Sequence, residues 1–274
     1  PLSRGLGDVY KRQGAEVVIL ETDVDGISRA STSIETLIST GLSLGRIDET
    51  AANALRNQLT LTTDYKDLGG VDLAIEAVFE DGPVKQKVLR SLEAALRSDA
   101  VIATNTSYLD VNKLAAALAD PSRLVGLHFF APAHVMKLLE IIKGEMASPK
   151  ALAMGYAVAK RLGKIPVVAG VCDGFIGNRI LARYREAADT LLMDGCTPWV
   201  IDEAMVDFGY AMGPYEAQDL SGLDIAYANR RRQDDTRDPA RRYIPIADHV
   251  VASGRLGRKS GVGWYLYPAN GGKD

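Results

Sequence analysis

The chain has 274 residues, is 47% hydrophobic and 24% charged, and carries a formal net charge of −3, which suits a globular protein of one large or two modest domains and leaves no basic footprint for nucleic acid or an anionic membrane. Two cysteines, Cys172 and Cys196, and three histidines define neither a disulfide framework nor a metal-ligand cluster, so no metal is expected. No apolar run has the length of a membrane span, and the polar residues 1–13 lack the hydrophobic core of a secretory signal.

Residues 1–13 show neither strand nor helix periodicity. Gly14-Ala-Glu-Val-Val-Ile-Leu-Glu21 then reads as a strand ending in an acid. In a dinucleotide-binding βαβ unit, an acid at the end of the second strand accepts hydrogen bonds from the adenosine ribose hydroxyls. An unpaired surface acid is equally open for Glu21. A first strand and a Gly-x-Gly-x-x-Gly loop should precede it. Instead, Gly5-Leu6-Gly7 has no upstream strand, and Tyr10 stands where the third glycine belongs. Residues 1–13 are therefore expected to be a non-native leader, with the chain entering its fold just before a second strand and without the glycine-rich loop.

Residues 26–58 carry Ile27, Ile34, Leu37, Ile38, Leu44 and Ile47 at mixed helical spacing, broken at Gly41 and Gly45, which predicts two helices and a turn. Val71–Phe79 is the next strand. Glu80 and Asp81 follow, then Gly82-Pro83 and a helix to about Leu96 that Asp81 can cap. Lys85 on that helix reads as a solvated lysine. Ala100–Thr104 is a buried strand with Asn105-Thr106-Ser107 at its carboxyl end, where open α/β sheets bind ligands. The Ser107 hydroxyl can meet a substrate oxygen there, or cap a helix starting near Val111.

The short apolar run Leu124–Leu127 ends in His128, a Pro-containing turn follows, and a second apolar run from Met136 to Ile142 holds Glu140 inside it. An acid amid Leu138, Leu139, Ile141 and Ile142 is costly without a partner. The interval lets the chain reverse and bring Glu140 beside the imidazole, where a carboxylate at one ring nitrogen fixes the tautomer and raises the basicity of the other. A structural histidine is the alternative.

A helix over 148–162 and a strand Lys164–Ala169 complete an alternation across 14–169, which predicts a Rossmann-like, doubly wound parallel α/β sheet. Beyond residue 170 the pattern turns helical: Phe175–Asp194, Pro198–Phe208, Gly222–Arg231 and Tyr243–Ser253. This predicts an all-helical second domain over 170–267 and a linker-like tail over 268–274. Asn178, near the start of the first of these helices, can face a cleft or serve packing and capping. The mixed-charge run Arg230–Arg242 reads as a solvated loop, and Lys259 as a surface lysine in a glycine-rich turn.

Gly126-Leu-His-Phe-Phe-x-Pro-x-x-x-Met-x-Leu-Leu-Glu140 resembles the catalytic stretch of the L-3-hydroxyacyl-CoA dehydrogenases, NAD enzymes of fatty-acid β-oxidation. The likeness runs from about Gly14 to Tyr267. It includes Glu-Ala-Val-x-Glu80-Asp with Lys85, Asn105-Thr-Ser107, Gly174-Phe-x-x-Asn178-Arg, Gly213-Pro with Asp219-Leu-x-Gly-Leu-Asp224, and Leu256-Gly-Arg-Lys259-Ser-Gly-Val-Gly-Trp-Tyr.

The resemblance implies oxidation of (S)-3-hydroxyacyl-CoA to 3-oxoacyl-CoA, with NAD as cofactor and acyl-CoA as substrate. His128 is then the general base, Glu140 its orienting partner, and Ser107 and Asn178 the contacts of the C3 oxygen. Glu80 and Lys85 fall near the nicotinamide ribose, Asn105, Ser107 and Lys259 contact the cofactor, and the 26–58 hairpin meets the CoA moiety. Glu21 suggests NAD over NADP, since an acid repels a 2′-phosphate.

One departure is Ala131, where the family often has Asn. That position, with the extra residues around Asp238, looks more like the multifunctional proteins that join this dehydrogenase to an enoyl-CoA hydratase. By the same likeness a homo-oligomer through the helical domain is expected, with a cytoplasmic location in a bacterium or a peroxisomal or mitochondrial one in a eukaryote. The competing readings are another Rossmann dehydrogenase acting on a small hydroxy acid, and a non-catalytic fragment that binds NAD poorly for want of the phosphate loop.

Overall fold

A computed structural model describes residues 15–268; the Gly5-Leu6-Gly7 stretch, Gly14 and the tail from residue 269 lie outside the described residues, and so does the expected leader. The chain divides into two compact units between Asn178 and Arg179.

The first unit begins with β1 (Val17–Leu20), two helices, α1 (Val24–Ser43) and α2 (Glu49–Asn57), and β2 (Leu59–Thr62). β1 and β2 pair in parallel. The two helices match the expected hairpin: Asp23 caps α1 through the Gly26 amide, and Asp48 caps α2 through the Ala51 amide. β2 is a strand that the sequence reading missed. Leu59-Thr-Leu-Thr alternates as a strand should, but four residues give a weak signal.

A second sheet follows in the order β3 (Leu73–Glu76), β4 (Val101–Thr104), β5 (Leu124–Phe129), β6 (Leu138–Lys143), β7 (Ile165–Gly170). Every neighbouring pair is parallel except β5–β6, which is antiparallel. In a doubly wound sheet of order 3-2-1-4-5-6, the first strand stands between the second and the fourth. Among the described residues β1 is paired only with β2, and β3 only with β4.

Helices cover the five-stranded sheet on both faces, which is why β4 and β5 are buried throughout. On one side Val125, Leu127 and Phe129 pack with Ala151, Val158 and Ala159 of α5 (Pro149–Arg161). On the other, Leu124, Ile102 and Ile142 pack with Leu89 and Leu92 of α3 (Gly82–Ala95) and Leu114 of α4 (Val111–Ala115). Asp81 caps α3 as expected, through the Val84 amide. The cap of α4 is Asp110, so Ser107 is not needed there.

The second unit is helical. It receives α6 (Gly177–Met193), which starts in the first unit, and adds α7 (Pro198–Phe208), α8 (Pro214–Ser221), α9 (Leu223–Arg232) and α10 (Ile246–Ala252). α8 went unread in the sequence because it is short and bounded by glycines. Buried carboxylates organise this unit. Asp202 accepts from the Tyr215 and Glu216 amides at the start of α8 and from the Tyr265 hydroxyl, all at 2.8–2.9 Å. Asp219 accepts from the Trp264 and Tyr265 amides and the Tyr267 hydroxyl. Asp248 takes Arg230 and Arg231 at 2.7–2.8 Å. The expected solvated loop at Arg230–Arg242 is therefore corrected: its first three arginines end α9, and two of them are tied to a buried acid. Among the described residues no helix is long and apolar enough to cross a membrane.

Candidate active site

The antiparallel β5–β6 pairing sets His128 directly opposite Glu140. The two strands approach closely because Gly126 has no side chain; a Cβ there would lie 2.5 Å from Ile142 Cβ. His128 Nδ1 is 2.6 Å from Glu140 Oε2, with His128 3% and Glu140 0% exposed. The other carboxylate oxygen, Oε1, accepts from the Gly177 amide at 2.8 Å and the Ile176 amide at 3.0 Å. Those amides open α6, whose N-terminal dipole favours an anion there. Burial raises the Glu140 carboxyl. The hydrogen bond from His128, the two amides and the imidazolium charge outweigh it and hold the group below its ordinary value.

Two aromatic rings flank the imidazole, Phe130 at 4.6 Å and Phe175 at 5.6 Å between centroids. Phe175 is 1% exposed and has φ 49°, and no other non-glycine residue among those described has positive φ. The left-handed region costs an L-residue with a Cβ roughly 1–2 kcal/mol.

Asn105 is brought to the same place. At the carboxyl end of β4 its Oδ1 accepts from the Phe129 amide at 3.0 Å, and its buried Nδ2 has no hydrogen-bond partner among the described residues. Two residues on, Ser107 lies in a turn held by Glu80, whose Oε1 accepts from the Thr106 hydroxyl at 2.5 Å and the Ser107 and Tyr108 amides at 2.8 and 2.9 Å. Burial raises the Glu80 carboxyl; the Thr106 hydroxyl, the Lys85 charge and the two amides bring it below its usual range.

The expectation of a solvated Lys85 is corrected. Lys85 is 1% exposed, with Nζ 2.8 and 3.1 Å from the two oxygens of Glu76 and 3.5 Å from Glu80 Oε2. Glu76 also accepts from the Thr104 hydroxyl and the Val78 amide. Sequence reasoning passed over Glu76, although its signal was the one that found Glu140: an acid within an apolar strand.

Glu21 follows β1, its amide donating to Thr62 O at 3.0 Å. A Cβ on Gly26 would stand 3.0 Å from Glu21 Oε2, so the carboxylate rests over the first turn of α1. Asn178 is the second residue of α6 and half-buried. Lys259 belongs to the second unit, where Nζ pairs with Asp224 Oδ1 at 2.5 Å on the surface.

Residues 2–172 match the family model of the 3-hydroxyacyl-CoA dehydrogenase NAD binding domain, and residues 174–267 that of the 3-hydroxyacyl-CoA dehydrogenase C-terminal domain. The chain is 39% identical to the peroxisomal bifunctional enzyme of Danio rerio over 98% of its own length, and spans 38% of the length of that relative. Among solved structures it is similar to M. tuberculosis FadB2, with a TM-score of 0.91, 32% identity and coverage of 97% of this chain and 95% of that one. The (S)-3-hydroxybutyryl-CoA dehydrogenase PaaH1 from Ralstonia eutropha superposes with a TM-score of 0.89 at 29% identity, covering 97% of this chain and 95% of the other.

Proposed function

The chain belongs to the 3-hydroxyacyl-CoA dehydrogenase family, and on that premise we propose that it oxidises an (S)-3-hydroxyacyl-CoA to the 3-oxoacyl-CoA in fatty-acid β-oxidation. The observation that carries the proposal is the buried 2.6 Å contact of His128 Nδ1 with Glu140. An ionised carboxylate can only accept a hydrogen bond, so Nδ1 carries a proton, and in the neutral imidazole that leaves Nε2 with its lone pair. Nε2 takes the proton of the C3 hydroxyl as the hydride departs from C3, and Glu140 steadies the imidazolium that results. Ser107 and Asn178 hold the C3 oxygen. NAD, when bound, supplies the hydride acceptor.

The donor set suits that dinucleotide. Asn105 Nδ2 is a buried donor with no partner among the described residues, at the carboxyl end of a strand, where such sheets take ligands. Glu21 offers a carboxylate at the end of β1 for the adenosine ribose. Glu80 and Lys85 support the turn carrying Ser107 on the nicotinamide side, and the family likeness makes Lys259 a further cofactor contact. Acyl-CoA is the substrate class, and a covalently joined or associated enoyl-CoA hydratase fits the relative's description as bifunctional.

NADH formation from (S)- and (R)-3-hydroxybutyryl-CoA tests the reading. Turnover of the S form is expected, and turnover of the R form alone would overturn it.

A further inference from the structure

Glu140 has two oxygens and two separate tasks. Oε2 holds His128, and Oε1 caps the first turn of α6 through the Ile176 and Gly177 amides. The chain turns sharply just before those two amides. It does so at Gly174 and Phe175, with φ of 71° and 49°. Glycine adopts that conformation freely, but Phe175 does not. A non-glycine residue stays in the left-handed region only where its surroundings over-determine it. Here the surroundings are the core that buries the Phe175 ring, beside the imidazole it helps enclose. On the other side, Gly177 leaves the space that the Phe130 ring fills; a Cβ there would fall 2.6 Å from Phe130 Cζ.

We infer that Phe175 is a positioning residue of the general base: burial of its ring holds a left-handed turn that aims the Ile176 and Gly177 amides at Glu140, and Glu140 in turn fixes His128. This rests on the proposed role of His128. It assigns Phe175 a function that core packing alone does not require. If the turn aims the amides, the backbone conformation at residue 175 matters as much as the ring.

The test compares Phe175→Ala with Phe175→Gly in the full chain. Alanine loses the ring but keeps the aversion to positive φ, so the turn relaxes and the amides leave Glu140. Glycine loses the same ring yet accepts the turn. The expected result is a fall of about tenfold or more in kcat for Phe175→Ala, with KM for 3-hydroxybutyryl-CoA unchanged and most of kcat recovered in Phe175→Gly.

A second readout needs no cofactor or turnover. The Ile176 and Gly177 amide proton resonances, shifted downfield by a carboxylate acceptor, should move upfield both in Phe175→Ala and in Glu140→Gln, and stay in place in Phe175→Gly. Phe175→Leu, which keeps the buried bulk, controls for folding. Should Phe175→Ala fail to fold, Gly177→Ala displaces the same amides from the Phe130 side and is read by the same signals. Equal kcat in the alanine and glycine variants, or amide signals indifferent to either, would overturn the inference. Undiminished turnover in His128→Gln would instead sink the proposed function and leave the amide result to stand by itself.

Discussion

His128 and Glu140 are directly opposed residues of the antiparallel β5–β6 pair, and their side chains meet on one face of the sheet at 2.6 Å. Opposed residues on neighbouring strands are held by the ladder itself, so the pair owes its geometry to backbone register rather than to a loop. A slip of one residue would send Glu140 to the other face and leave a buried acid without its histidine. The same register pins the carboxylate where the start of α6 can reach its second oxygen.

Replacing either member should therefore abolish chemistry and spare binding. His128→Gln and Glu140→Gln are expected to lower kcat by about 10²–10⁴-fold, the usual cost of losing a general base. NAD affinity, measured by calorimetry, should be unchanged. Near-normal oxidation of 3-hydroxybutyryl-CoA by either variant would remove the pair from the mechanism.

Lys85 and Glu76 form a buried ion pair that also anchors the strand ends beside Ser107. Breaking one side of such a pair leaves a stranded charge and typically costs about 3–5 kcal/mol, whereas replacing both with apolar residues costs far less. Lys85→Met should destabilise the fold by that order in urea unfolding, and adding Glu76→Leu should recover most of it. If the double variant is as unstable as the single one, the pair is not the source of the loss.

Glu21 lies over the first turn of α1 at the end of β1. In the proposed ribose site this carboxylate repels the extra phosphate of NADP, so Glu21→Ala should narrow an NAD-over-NADP preference in kcat/KM, mostly by improving use of NADP. An unchanged ratio would take Glu21 out of the ribose site.

Asp189, in the second unit, is pushed up to about 6 by burial, against the lowering effects of Arg230, the Tyr215 hydroxyl and Arg185. Its folded value exceeds the ordinary 3.8, so the native state binds this proton more tightly than the unfolded chain. The favourable contribution is full below about 4 and is lost as the pH rises through about 6. Asp189→Asn, which keeps a neutral group at every pH, should raise Tm at pH 8 relative to wild type and have little effect at pH 4. Melting curves at the two pH values check this; equal effects at both would show that Asp189 is not a buried titrating acid.

Much of the architecture was legible because it rests on local patterns. Helix α3 follows from Asp81 and Pro83 at its start, α7 from Pro198, and the change of domain from the switch between strand–helix alternation and continuous helical periodicity. The misses share a cause. β2 and α8 are too short for a period to declare itself, and their stability comes from neighbours distant in sequence, β1 for the one and Asp202 for the other.

At the candidate site, the sequence by itself determined that Glu140 must find a partner, since an acid within an apolar strand cannot stay buried alone, and it put His128 within reach. It could not show the second half of that partnership. The amides of Ile176 and Gly177 carry no side-chain signature, and they reach Oε1 directly after the left-handed turn at Phe175. Lys85 was misread for the same reason. Whether a lysine is solvated or buried depends on what the packed structure places around it, and here Glu76 and Glu80 converge on it from the end of β3. Burial and backbone hydrogen bonding are properties of the assembled chain, and tertiary structure alone decided them.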